Sequence, residues 1–76
     1  MKRLLESLVR PLVDEPDRVE VRERPEEGGL CLVLRVPPEE RGRVIGRRGR
    51  TADALRTLLD AVAARRGLVC HLEIEE

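Results

Sequence analysis

The sequence predicts an α+β fold whose elements follow the order α-β-β-α-α-β. Three observations support this prediction: two long segments have apolar residues at helical spacing, three short segments are alternating or continuously apolar, and prolines and glycines separate them. The two helices between the second and third strands form a crossover, which should be right-handed and make those strands parallel. We therefore expect a three-stranded mixed sheet with three helices on one face, built as a single domain over residues 1–76.

The first half of the chain is predicted to form one helix and two strands. Apolar residues between positions 4 and 13 fall on one helical stripe, and Pro11 should kink the last turn because it has no N–H to donate. Alternation at 19–22 predicts a half-buried strand, and the composition of 25–29 predicts a turn. The segment 30–36 is apolar at all but one position, which is typical of a central strand.

The second half is predicted to form two helices and the last strand. Pro38 and the acids after it favour a short helix that ends before Gly46. A longer helix should begin after Gly49 and end before Gly67. Alternation over 68–74 predicts the third strand. The expected buried face of the longer helix consists of five apolar residues: Ala52, Leu55, Leu58, Leu59 and Val62.

Charge is distributed unevenly along a chain whose formal net charge is zero. The segment from Arg41 to Arg56 holds six arginines and one acid, Asp53, so its local charge is +5 and the remainder carries −5. A concentrated basic segment attracts a polyanion even when the total charge is balanced, because the local field steers the encounter. The clustering therefore indicates a nucleic-acid backbone as the ligand.

The residues that usually carry catalysis or bind metals are few. Cys31 and Cys70 lack metal-ligand spacing, and we expect Cys31 on the open face of the sheet and Cys70 facing inward, both as free thiols. His71 is the single histidine and is interpreted as a surface or interface residue. We predict no catalytic residues, no metal and no cofactor, so an enzyme is the least favoured class. The chain shows neither a leader nor a long apolar run, which predicts a cytoplasmic protein without membrane contact.

The sequence Val44-Ile45-Gly46-Arg47-Arg48-Gly49 stands between the two predicted helices. Glycines at both corners permit unusual backbone conformations and let a sugar–phosphate chain approach closely. The helix that follows directs its unpaired N–H groups toward an anion. A P-loop is excluded by the missing second glycine and lysine, and a dinucleotide fingerprint by the helix, rather than a strand, that precedes the turn.

In this context the chain resembles the type II KH domain, in which a VIGxxG turn joins two helices and binds single-stranded RNA or DNA. Over nearly its whole length it is also similar to the small stand-alone bacterial KH proteins of the KhpA (YlqC) type, with further matches at 13–19 and 49–56. This resemblance implies a cytoplasmic RNA-binding protein and RNA chaperone. It also implies homodimers or pairing with a larger KhpB/Jag-type KH/R3H protein, with effects on cell-wall growth and cell length.

The expected binding site combines the turn with arginines on its flanks and an apolar groove walled by Val33 or Arg35 of the central strand. KH domains carry a larger aliphatic residue where this chain has Ala52, which predicts a shallower groove, and Asp53 adds a negative charge nearby. An assembly module that pairs with another protein without binding RNA remains the alternative. The predicted RNA-binding residues are Arg41, Arg43, Val44, Ile45, Gly46, Arg47, Arg48, Gly49, Arg50, Leu55 and Arg56.

Overall fold

A computed structural model describes residues 1–75 of the chain and confirms the α+β class and the order of elements. Short 3-10 turns occupy Arg10–Leu12, Pro16–Arg18, Pro38–Glu40 and Arg47–Gly49. The helices and strands are α1 (Lys2–Val9), β1 (Glu20–Glu26), β2 (Gly29–Arg35), α2 (Arg41–Ile45), α3 (Arg50–Arg65) and β3 (Val69–Ile74).

The three strands form a mixed sheet in the order β1-β2-β3. β1 pairs antiparallel with β2, from Glu20 opposite Arg35 to Glu26 opposite Gly29, whereas β2 and β3 run parallel. The central position predicted for the apolar strand is therefore confirmed. The turn predicted over 25–29 is shorter than expected, because Pro25 belongs to β1. An edge strand accepts a proline, since only one of its sides must supply ladder hydrogen bonds.

One hydrophobic core lies between the sheet and the helices. All three helices contribute buried residues that pack with the inner sides of the strands, which places the helices on one face. Cys31 and Val33 are buried but belong to the opposite, open face, and both cysteines are free, as predicted. The core cluster is Leu5, Val9, Val13, Val19, Val21, Leu32, Leu34, Val36, Val44, Leu55, Leu59, Ala63 and Cys70.

The first helix is shorter than its apolar stripe. We expected a kinked helix through residue 13, but α1 ends at Val9 and Pro11 lies in a 3-10 turn. The missing N–H of Pro11 removes one hydrogen bond of the α-helical ladder, so the backbone tightens there. The stripe still faces the core, because Val13 is buried.

The buried face of α3 is rotated relative to the expectation. Leu58 was expected in the core, yet its side chain is 42% exposed, and Val62 is only half-buried. Ala63 is fully buried instead, which completes a stripe with Ala52, Leu55 and Leu59.

None of the helices formed by residues 1–75 has both the length and the apolar character needed to cross a membrane.

Candidate nucleic-acid interface

The turn between α2 and α3 requires glycine at its first corner. Gly46 has φ = +78°, a value that favours glycine. A Cβ atom at Gly46 would also lie 2.9 Å from the backbone nitrogen of Thr51, so a larger residue would push the two helices apart. Its N–H donates a hydrogen bond to the carbonyl of Gly42 at 2.8 Å, which closes α2 against the turn.

The second corner leads directly into α3. Gly49 has φ = +74° and stands at the N-cap of α3, where none of the side chains in the described part of the chain caps the helix. Its N–H donates to the carbonyl of Gly46 at 3.1 Å, so the turn closes on itself. α3 is 16 residues long and begins at the turn. Its amino end, which carries the positive end of the helix dipole, therefore lies at the turn. This arrangement suits an anion near Gly49.

Two arginines occupy the tip of the turn, where both side chains are exposed. Arg48 has φ = +58° and is the only residue other than glycine with positive φ within positions 1–75. A non-glycine residue in this region costs about 1–2 kcal/mol. The fold thus holds Arg48 in a strained conformation and presents Arg47 and Arg48 together to solvent.

The arginines differ in whether a carboxylate already neutralises them. Arg43 pairs with Asp14 at 2.7 Å, and Arg56 approaches Asp53 at 3.7 Å. Across residues 1–75, no salt bridge involves the remaining arginines of the basic segment: Arg41, Arg47, Arg48 and Arg50. Within the basic segment, the positive charge that no carboxylate neutralises therefore lies at the turn and at the first residues of α2 and α3.

Glu40 is a residue of this region that sequence reasoning missed. Its side chain is 4% exposed and its carboxylate accepts hydrogen bonds from the backbone N–H groups of Asp14 and, at 3.4 Å, Glu15. These contacts hold the loop before β1 against the start of α2, alongside the Arg43–Asp14 pair. In the sequence Glu40 looked only like an acid in a first helical turn, because its partners lie 25 and 26 positions away.

The apolar groove is not formed as predicted. Val33 and Arg35 lie on the open face of the sheet, whereas α2 and α3 pack on the other face, so neither residue can wall a groove with the helices. Val44 is fully buried and Leu55 is 7% exposed, which places both in the core. Ile45 is half-buried and is the apolar residue that reaches the surface beside the turn.

Other site residues follow the same division between core and surface. Ala52 is 3% exposed and packs into the core under the start of α3. Arg50 and Arg56 are exposed along α3. Arg41 is half-buried, and its Nε atom has no hydrogen-bond partner among the described residues. Within the described part of the chain, no group of three His, Cys, Asp or Glu side chains is arranged to hold a metal ion.

The helix–Gly-x-x-Gly–helix unit between β2 and β3 of an α-β-β-α-α-β fold defines a protein of the type II KH class. The family model described as KhpA/KhpB, KH domain matches residues 2–74. The chain belongs to this KhpA/KhpB family of KH domains.

Three relatives illustrate the similarity. The chain is 45% identical to the RNA-binding protein KhpA of Clostridium acetobutylicum over 74 residues, 97% of this chain and 99% of the relative. It is 48% identical to the RNA-binding protein KhpA of Streptomyces coelicolor over 65 residues, 86% of this chain and 82% of the relative. It is 42% identical to the RNA-binding protein KhpA of Listeria monocytogenes over 76 residues, 100% of both chains.

Proposed function

We propose that this chain is a single-stranded RNA-binding protein whose site is the turn between α2 and α3. The observation that carries the proposal is a set of exposed arginines that have no carboxylate partner within residues 1–75, on a glycine turn at the amino end of a long helix. Such a turn is suited to phosphate, because backbone N–H groups, helix dipole and guanidinium groups all favour negative charge. The relatives are named RNA-binding proteins, which supports RNA as the polyanion.

The proposed mechanism is binding without covalent chemistry. Gly46 and Gly49 let the sugar–phosphate backbone approach, Arg47 and Arg48 neutralise phosphates, and the other arginines of the segment steer the strand. The chain has no aromatic residue, so base stacking worth about 1–3 kcal/mol per base is absent. Affinity should therefore depend mainly on phosphate contacts, fall steeply with salt and discriminate weakly between sequences.

We also propose that this chain forms a single domain and is an RNA chaperone. It would work either as a homodimer or together with a KhpB/Jag-type KH/R3H partner. Weak binding by one site gains strength when two sites are linked, which favours a paired working unit. The matching family model covers the KH domains of both KhpA and KhpB, so a KhpB-type partner would carry a KH domain of the same family. The free thiols of Cys31 and Cys70 fit a location in the reducing cytoplasm. The proposal also includes effects on cell-wall growth and cell length.

The alternative is an assembly module that binds protein and not RNA. Exposed apolar side chains favour it, since Leu58 is 42% and Val69 is 58% exposed. Single exposed apolar residues are common on monomeric proteins, however, so this observation carries less weight than the unpaired arginines.

Binding of a fluorescein-labelled, unstructured RNA measured by anisotropy at several salt concentrations tests the proposal. The double variant Arg47→Gln/Arg48→Gln removes two charges from the turn. If each arginine contacts one phosphate, the slope of log K against log salt should decrease in magnitude by about 1.4, since each contact contributes about 0.7 for single strands.

The matched control is Arg65→Gln/Arg66→Gln, which removes two neighbouring charges at the opposite end of α3. The control should bind RNA with nearly the parent slope, and circular dichroism should show that both double variants remain folded. Equal losses in the two double variants would contradict the turn as the site. Absence of RNA binding by the parent protein at low salt would favour the assembly module.

A further inference from the structure

Asp14 places a carboxylate beside the proposed RNA site. Its Oδ1 atom accepts a hydrogen bond of 2.7 Å from the guanidinium group of Arg43, a residue 29 positions away in the sequence. Arg43 lies three residues before Gly46, about 4.5 Å along the axis of α2 from the glycine turn. An arginine close to the turn is therefore already bound to an anion that belongs to the protein itself.

The backbone of Asp14 is fixed from its other side. Its N–H group donates to the buried carboxylate of Glu40, which immediately precedes α2. The next N–H group, that of Glu15, donates to the same carboxylate at 3.4 Å. Because Glu40 is 4% exposed and holds the loop through two backbone contacts, Asp14 stays beside Arg43 when another anion approaches.

The pair between Arg43 and Asp14 contributes little to the stability of the fold. The two side chains are 54% and 71% exposed, and ion pairs at such exposure are screened by water and salt. A carboxylate next to a site for phosphate also opposes binding, since like charges repel each other. The main effect of Asp14 is therefore expected on the affinity for RNA and not on the free energy of unfolding.

The other acids of this loop have different surroundings. Glu15 pairs with Arg18 at 2.8 Å, and Arg18 also approaches Glu39 at 3.5 Å. Asp17 is exposed and makes no salt bridge within the described chain. Among the three acids of the loop, Asp14 is thus the one whose carboxylate contacts an arginine of the basic segment in the structure as described.

We propose that Asp14 is an internal competitor for phosphate that limits how strongly the protein binds single-stranded RNA. This inference rests on the proposed function, in which the turn holds the phosphates. A phosphate that approaches Arg43 replaces the Asp14 carboxylate, so one anion is exchanged for another and the contact adds little affinity. Asp14 is a positioning residue that acts through Arg43, and it leaves the strand to Arg47, Arg48 and the start of α3.

The test measures RNA binding by Asp14→Asn in the anisotropy assay over a range of salt concentrations. Asparagine keeps the N–H group that donates to Glu40 but carries no charge, so Arg43 becomes free to contact a phosphate. One added contact should increase the magnitude of the slope of log K against log salt by about 0.7. Affinity should then rise about fivefold at about 0.1 M salt, and the gain should vanish toward about 1 M salt, where counterion release no longer drives binding.

The matched control is Asp17→Asn, which removes the same charge from the same loop without releasing an arginine. Its salt slope should equal that of the parent, and any gain in affinity should be smaller than that of Asp14→Asn. In a second comparison, Arg43→Gln should weaken RNA binding more in the Asp14→Asn background than in the parent, because Arg43 is unpaired in that background. Thermal unfolding should show similar melting temperatures for all variants, since the substituted side chains are exposed.

The outcomes separate release of Arg43 from a general effect of charge. Equal gains in Asp14→Asn and Asp17→Asn, with parent slopes, would overturn this inference. Parent affinity in Asp14→Asn, with Arg47→Gln/Arg48→Gln still defective, would also overturn it and leave the proposed function standing. A parent protein that binds no RNA would overturn both.

Discussion

At the scale of single residues, Glu40 shows how a buried charge can organise a neighbouring surface. Its carboxylate is surrounded by protein but accepts backbone N–H groups from the loop before β1. A buried carboxylate is stable only when hydrogen bonds replace its lost hydration. Because Glu40 immediately precedes α2, the same contacts fix the start of the helix that carries the turn.

Replacing Glu40 with alanine should lower the free energy of unfolding by about 1–3 kcal/mol, because the N–H groups of Asp14 and Glu15 lose their acceptor. Glu40→Gln should lose less, since its amide oxygen still accepts one bond. The control is Glu39→Ala, which removes only an exposed 3.5 Å pair with Arg18 and should cost less than about 0.5 kcal/mol. Urea denaturation measures the stability of all three variants, and equal losses for Glu39→Ala and Glu40→Ala would contradict the role of the Glu40 carboxylate as the acceptor for this loop.

At the scale of elements, α3 illustrates how neighbouring leucines acquire different roles. Leu59 is 1% exposed and belongs to the core, whereas Leu58 is 42% exposed. Either leucine could lie on the apolar stripe of α3, because the side chains of successive residues are separated by an angle of only 100° around the helix axis. The packing of α3 against β3 and α1 selects the stripe that contains Leu59.

Truncation of the two leucines tests this assignment directly. Leu59→Ala should destabilise the protein by about 2–5 kcal/mol, because it removes buried methyl groups and leaves a cavity. Leu58→Ala should cost clearly less, about 1 kcal/mol, since Leu58 remains 42% exposed in the folded protein and its truncation leaves no enclosed cavity. Comparable losses of unfolding free energy in thermal or urea denaturation would show that the buried face of α3 is assigned incorrectly.

At the scale of the whole molecule, one compact core sets the chemistry of a thiol. Burial, and to a smaller extent the Asp60 carboxylate, raises the pKa of Cys70 above its ordinary value of 9.0. Above pH 9 the thiol of the unfolded chain ionises while the folded protein keeps its proton. The unfolded state then binds fewer protons, so stability must fall as the pH rises.

The free energy of unfolding of the parent protein should therefore decrease from about pH 9 upward, by at most about 1.4 kcal/mol per pH unit from this group. Cys70→Ala removes the titrating thiol and should show a flatter decline over the same range, whatever its stability at pH 7. Urea denaturation at closely spaced pH values measures both curves. Parallel curves would contradict the assignment of this pH dependence to Cys70.

The comparison of sequence with structure separates local from long-range information. The order of elements, the central strand and the glycine turn followed from periodicity, missing N–H groups and the conformations open to glycine, which are properties of short segments. The groove wall at Val33, the burial of Leu58 and the length of α1 were predicted incorrectly. The first two depend on which side of an element another element packs against, whereas α1 ends early because Pro11 lacks the N–H that a longer helix would need.

By itself the sequence determined an α+β protein with a basic Gly-x-x-Gly turn between two helices, because those features are encoded within a few consecutive residues. Only the tertiary structure decided which arginines already have carboxylate partners, as when Asp14 neutralises Arg43 across 29 positions. Only the tertiary structure also showed that the Glu40 carboxylate holds the loop of Asp14 against the start of α2. The physical reason is the same in both cases: charge pairs and hydrogen bonds of this kind arise where distant parts of the chain meet.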